Sequence, residues 1–156
     1  SVSELPSSFD TITMVDVLEH IEDDDGQLDR VYGKLARGGR LIVVVPAHPF
    51  LYGTRDKNAG HYKRYTKKGL RSLLMKNGFS VVAMRHWNML GFFPYFFYEK
   101  VLKKEFNTSL RNPKHAGGDG AMKAFARMAL RRWFVSVENR IDFRFGLSLL
   151  CVARKM

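Results

Sequence analysis

Cysteine is almost absent. Cys151 stands alone in an apolar run with no second thiol in the chain, which excludes a disulfide-stapled scaffold and fits a reducing compartment. No uninterrupted apolar stretch reaches the roughly 18 residues of a spanning helix, and no basic-then-apolar signal peptide opens the chain. A cytoplasmic protein, at most associated with a membrane surface, is the expectation. Acidic residues are scarce: 15 Asp and Glu face 26 Lys and Arg, a formal charge of +11. That balance raises a polyanionic partner or an anionic surface. The excess is uneven, with ten basic and three acidic residues in 85–132 against twelve and ten in 1–84.

Several chemistries lack their residues. No Cys and His cluster has zinc spacing. Residues 23–26 invite a calcium-loop reading, but with Gly26 at the invariant glycine, Ile21 and Tyr32 fall where ligand carboxylates belong. The glycines of 116–121 follow no strand and have the wrong spacing for a nucleotide loop. No metal is expected. Recognised RNA or DNA motifs are missing too, so nucleic acid is not the expected partner despite the charge.

What is present describes a folded chain. Hydrophobic residues at 46% and charged residues at 26% are too apolar for disorder, and 156 residues suit a single domain. Residues 9–15 form a β-branched apolar run after a Pro-Ser-Ser turn signal, as a buried strand does. Asp24 or Asp25 caps an expected helix over 24–37, with Leu28, Val31, Tyr32 and Leu35 on one face and Gly38-Gly39 as its stop. The aliphatic run 40–45, closed by Pro46, suits a strand between two helical layers. Thr66 caps a helix through Leu70, Leu73, Leu74 and Lys76, which Asn77-Gly78 ends. Strands are expected at 79–84 and 145–153, the last pairing antiparallel with its predecessor at the sheet edge. The alternation predicts an open, mostly parallel α/β sheet. The segment between the last two strands is too long for a simple loop and is expected to be mainly helical.

The passage Phe9-Asp-Thr-Ile-Thr-Met-Val-Asp-Val-Leu-Glu-His-Ile-Glu-Asp resembles the fourth strand and following loop of class I S-adenosylmethionine-dependent methyltransferases. The likeness continues through Gly38-Gly39, the strand ending at Pro46, and Gly78-Phe79. The ending Gly146-Leu-Ser-Leu-Leu-Cys-Val-Ala-Arg-Lys is similar to the last strand of a subset that also carries the insertion. The resemblance implies a Rossmann-like open sheet, incomplete at the N-terminus. Residues 1–156 would form the C-terminal part of one domain, and 88–143 the aromatic and basic helical insertion within it.

Ligands in open α/β sheets sit outside the carboxyl ends of the strands, and 15–20 occupies that position. By resemblance, Val15, Asp16 and Val17 line the cofactor, S-adenosylmethionine, while Glu19 and His20 approach the acceptor. His20 is the candidate base, since an imidazole titrates near neutral pH. The bland alternative makes Leu18 and Ile21 core and Glu19 a first-turn carboxylate favoured by the helix dipole. A second element, Gly60-His-Tyr-Lys-Arg-Tyr, resembles a Gly-His-x-Arg-Arg-Tyr motif of the same subset, with Lys63 where Arg is frequent. It offers His61, Arg64 and Tyr65 to an acidic or polar acceptor, or uses His61 and Tyr65 to pin the loop.

The glycine-rich cofactor turn and its following acidic residue do not precede Phe9, and the first strand signal arrives soon after Ser1. An upstream part is therefore expected, without which the fragment would be inactive. The acceptor is expected to be a small or lipid-linked molecule. Phe92 to Tyr98, beside Lys100, Lys103 and Lys104, has the ingredients of an interfacial helix. The competing reading is a non-catalytic module that binds a membrane or partner through this insertion. If neither holds, the aromatics pack the insertion against the sheet.

Overall fold

The computed structural model describes residues 9–98 and 120–156. Strand β1 (Phe9–Val15) leads through a 3-10 turn, Leu18–His20, into helix α1 (Asp24–Lys34) and strand β2 (Leu35–Pro46). A second 3-10 turn at Pro49–Leu51 and the short helix α2 (Thr54–Asn58) precede helix α3 (Lys67–Lys76) and strand β3 (Phe79–Trp87). Helices α4 (Met89–Phe96) and α5 (Gly120–Trp133) follow; α5 continues into a π-helical turn, Phe134–Glu138, before strand β4 (Ser148–Lys155).

The strands lie in the order β1-β2-β4-β3. β1 runs parallel to β2, and β4 is antiparallel to both of its neighbours. The open, mixed sheet has the Rossmann-like arrangement. One expectation needs correction: β4 does pair antiparallel with β3, but it is an interior strand and β3 is the edge. A strand as apolar as 149–153 is better covered between two neighbours than at an edge, where its N–H and C=O groups would face solvent.

Leu41, Val43 and Val45 of β2 stand in register with Ala153, Cys151 and Leu149 of β4, and all six are fully buried. Leu28 and Val31 of α1 and Leu70 and Leu74 of α3 cover this face, together with Phe79. Each such side chain contributes about 1.5–3 kcal/mol by leaving water. On the opposite face Val44 is buried while Ile42 and Val152 remain partly exposed.

Local chemistry explains most boundaries. Asp23, rather than Asp24 or Asp25, caps α1 by accepting from Gly26 N at 2.9 Å. The helix ends at Lys34, earlier than the glycine pair suggests, because Leu35 turns extended (φ −79°, ψ 140°) to bury its side chain. Strand β2 therefore starts early, with a register break against β1 between Phe9 and Thr11. Lys155 Nζ donates to Tyr32 O at 2.6 Å and Leu35 O at 2.8 Å, placing a cation on carbonyls at the end of α1. Thr66 caps α3 as expected, accepting from Gly69 N at 2.9 Å. Gly78 takes the left-handed φ of +81° that frees the chain to enter β3.

Candidate functional site

β1 and β2 both end at one edge of the sheet, and the loops that follow build a cavity of about 510 Å³ there. Asp16 turns the chain with a φ of 50°, a region Asp tolerates better than most residues, and its N–H donates to Val44 O at 3.0 Å. The next turn buries Leu18 and Glu19 and leaves His20 exposed. Glu19 O accepts from Tyr62 N at 2.8 Å, which ties this turn to the loop carrying His61 and Arg64.

Asp56 organises that loop. Its buried carboxylate accepts from Gly53 N at 3.0 Å, from Arg64 Nε at 2.9 Å to each oxygen, from His61 Nδ1 at 2.8 Å and from Tyr95 OH at 3.2 Å. Burial alone would raise its pKa, but the Arg64 guanidinium, His61 and Gly53 together hold it below the ordinary carboxylate value. Arg64 also donates to Ala47 O at 3.2 Å and to Tyr95 OH at 2.7 Å. Tyr95 thereby joins α4 to the site.

The histidines are oriented by acceptors of fixed role. A carboxylate and a carbonyl only accept, so His61 Nδ1 donates to Asp56 and His20 Nδ1 donates to Gly60 O at 3.2 Å. In its neutral form each ring presents Nε2 as a lone pair. The rings meet edge to face with centroids 4.7 Å apart. Behind them Glu19 is fully buried, and neither carboxylate oxygen has a hydrogen-bond partner among the described residues. Burial raises its pKa, and the nearby Asp16 charge adds to the effect.

Of the residues named from sequence, Asp16, His20, His61 and Arg64 converge on the cavity. Arg64 is held inside the wall by its own hydrogen bonds, so it shapes the cavity more than it reaches into it. Tyr65 does not join them: it is buried, and its hydroxyl donates to Asp24 Oδ2 at 2.9 Å, which is the loop-pinning alternative. Burial and Asp24 both push its pKa upward. Glu19 lies behind the histidines, while Val15 and Val17 are solvent-exposed at the carboxyl end of β1. Sequence reasoning missed Asp56, Tyr95 and Asn88, which also line the cavity. Asp56 had a signal available, as the lone acidic residue between Asp29 and Glu99.

Residues 1–84, more than half of the chain, match a family described as a methyltransferase domain. The chain belongs to that methyltransferase domain family. Solved structures agree in fold. A SAM-dependent methyltransferase from Archaeoglobus fulgidus matches with a TM-score of 0.51 at 15% identity, over 99% of this chain and 63% of its own. The magnesium protoporphyrin IX methyltransferase from Synechocystis, with bound SAH, matches with a TM-score of 0.51 at 15% identity, over 100% and 48%. The [4+2]-cyclase SpnF matches with a TM-score of 0.52 at 18% identity, over 99% and 53%. The methyltransferase domain described here thus spans about half to two thirds of the length of these relatives. No curated protein matches it in sequence.

Proposed function

We propose that this methyltransferase domain forms the acceptor side of an S-adenosylmethionine-dependent enzyme, as part of a longer protein, and that its acceptor is a small or lipid-linked molecule. The observation that carries the reading is the convergence of Asp16, His20 and His61 on a cavity at the carboxyl ends of β1 and β2, within a chain of this family. Its volume of about 510 Å³ suits a small molecule.

S-adenosylmethionine supplies an activated methyl group on a sulfonium. The residues present fit one flank of it: exposed Val15 and Val17 offer apolar contact, and Asp16 between them offers a carboxylate for polar groups. The glycine-rich turn that would hold the other flank is not among these 156 residues. Methyl transfer is an in-line displacement, so the protein's work is alignment and exclusion of water. Helix α4, tied to the cavity wall by Tyr95, is the described part of the insertion nearest the acceptor position, and His20 Nε2 is the basic atom presented there.

The lipid-linked option draws support from α4. Phe92 packs inward against His48, Phe96 and Phe145, and Tyr95 is buried, but Phe93, Phe96, Phe97 and Tyr98 remain exposed. The helix that walls the cavity thus shows aromatics to solvent, as a membrane-facing surface does. Lys100, Lys103 and Lys104 lie outside the described residues. No described helix is long and apolar enough to cross a membrane. The same surface is the basis of the second reading, a non-catalytic module.

Incubating the native protein with methyl-labelled S-adenosylmethionine and extracts of its source tests the proposal. Label is expected in the small-molecule or lipid fraction, reduced about 10²-fold or more by His20→Gln. Label confined to nucleic acid or polypeptide would overturn the acceptor class. No transfer, with vesicle binding retained, would favour the second reading.

A further inference from the structure

Sequence spacing gives no metal site, yet the fold brings Glu19, His20 and His61 together from two loops. One ligand atom from each lies within 4.8 Å of the others. We propose that these three side chains bind a divalent transition-metal cation at the wall of the cavity.

Three independent features of the cluster support this. First, Glu19 is fully buried and both of its oxygens lack partners among the described residues. A buried carboxylate is stable only when paired, coordinated or neutralised, and a protonated one still needs an acceptor for its own hydrogen. A cation between Glu19 and the histidines satisfies it directly.

Second, the imidazoles are arranged as metal ligands are. A ligating histidine commonly donates its second ring nitrogen to a carboxylate or a backbone carbonyl, which fixes the tautomer and aims the other nitrogen at the metal. His61 does the first, to Asp56 at 2.8 Å, and His20 the second, to Gly60 O at 3.2 Å. Asp56 is itself held by Arg64 and Gly53.

Third, the donor set is coherent. Two neutral imidazoles and one carboxylate suit zinc, iron(II) or manganese rather than calcium, which takes oxygen ligands. With metal–ligand distances of about 2.0–2.2 Å, ligand atoms sit within about 4 Å of each other, so small side-chain rotations close the site. Three protein ligands leave positions open, and His20 and His61 face the cavity. There a cation would engage an oxygen of the acceptor, and His20 would serve as ligand in place of free base. That last step rests on the methyl-transfer reading; the metal site does not.

The test is calorimetric titration of Zn²⁺ and Co²⁺ into the whole chain, followed by ¹⁵N resonances of the histidine rings. One cation per chain is expected, with the Nε2 signals of His20 and His61 shifting while both Nδ1 sites keep their protons. Glu19→Gln and His61→Gln should each weaken binding at least tenfold. His86→Gln and Cys151→Ser, which alter groups outside the cluster, should leave it unchanged. Circular dichroism reports whether each variant folds, and the ring resonances of the unaltered chain decide the matter if a variant does not. Absence of saturable binding by the folded chain, unshifted His20 and His61 resonances, or full affinity in both ligand variants would overturn the proposal.

Discussion

Asp56→Asn offers the sharpest test of how the cavity wall is held. The side chain is 1% exposed and Arg64, its partner, 5% exposed, so both charges are out of water. The substitution keeps the shape but removes the charge, and leaves the guanidinium opposite an amide whose nitrogen cannot accept. Breaking a buried ion pair by removing one partner costs about 3–5 kcal/mol. Against a usual total of about 5–15 kcal/mol that is a large share. At roughly 2–4 °C per kcal/mol for a chain of this size, the melting temperature should fall by about 6–20 °C. Arg64→Met alone removes the carboxylate's countercharge while leaving it the donors Gly53, His61 and Tyr95, and should cost somewhat less. The double variant, with neither charge left, should be destabilised by clearly less than the sum of the two. Urea unfolding followed by circular dichroism gives all four corners of the cycle. A loss below about 1 kcal/mol for Asp56→Asn, or strict additivity, would refute the reasoning that this pair carries the wall.

Two further predictions rest on other groups. His48 and His86 stack with centroids 4.9 Å apart, and burial lowers both pKa values from the ordinary 6.5. A histidine with a depressed folded pKa contributes stability that is present above 6.5 and lost as pH falls through its folded value. The urea midpoint should therefore drop between pH 7.5 and 5.5, and His86→Gln should reduce that drop; equal slopes in the two proteins would refute the assignment. At α4, replacing Phe93, Phe96 and Phe97 with Ser should weaken binding to anionic vesicles by about tenfold or more, in a salt-sensitive way, with little loss of fold because all three are exposed. Unchanged vesicle binding would remove the membrane role from this helix.

The elements that sequence revealed are those with local causes. Thr66, Gly78 and the aliphatic run of β2 act within a few residues of themselves, and the structure keeps all three. The position of β4 between β2 and β3 was not legible, because pairing partners across a sheet leave no local mark. The same distinction divides the site. His20 and His61 stood out through motifs, but their approach to the buried Glu19 depends on a loop packing across 40 residues of sequence. Tyr95 bonds Asp56 across 39 positions, and nothing around either residue announces it. For Tyr65 the motif left two roles open, acceptor contact or loop-pinning, and the hydrogen bond to Asp24 matches the second.

Topology alone accounts for where the insertion leaves and rejoins the sheet. β1, β2 and β3 point the same way, so all three end at the cavity edge of the sheet. Because β4 is antiparallel to β3, it has to begin where β3 ends, and Trp87 is indeed paired with Ser148. Anything inserted between Trp87 and Ser148 therefore leaves and returns at that edge, whatever its own sequence. The two ends are fastened: Leu147 N donates to Asn88 O at 3.2 Å, and Ala47 N donates to Leu147 O at 2.7 Å. Gly146 permits this approach, since a Cβ there would lie 2.5–2.9 Å from the backbone of Trp87. The insertion is thus anchored to the end of β2 and to the loop that carries Asp56 and His61. On the methyl-transfer reading, exposed residues of α4 such as Phe93 can vary while the sheet and the histidine pair stay as they are, so substitutions there should change acceptor choice before they affect the fold.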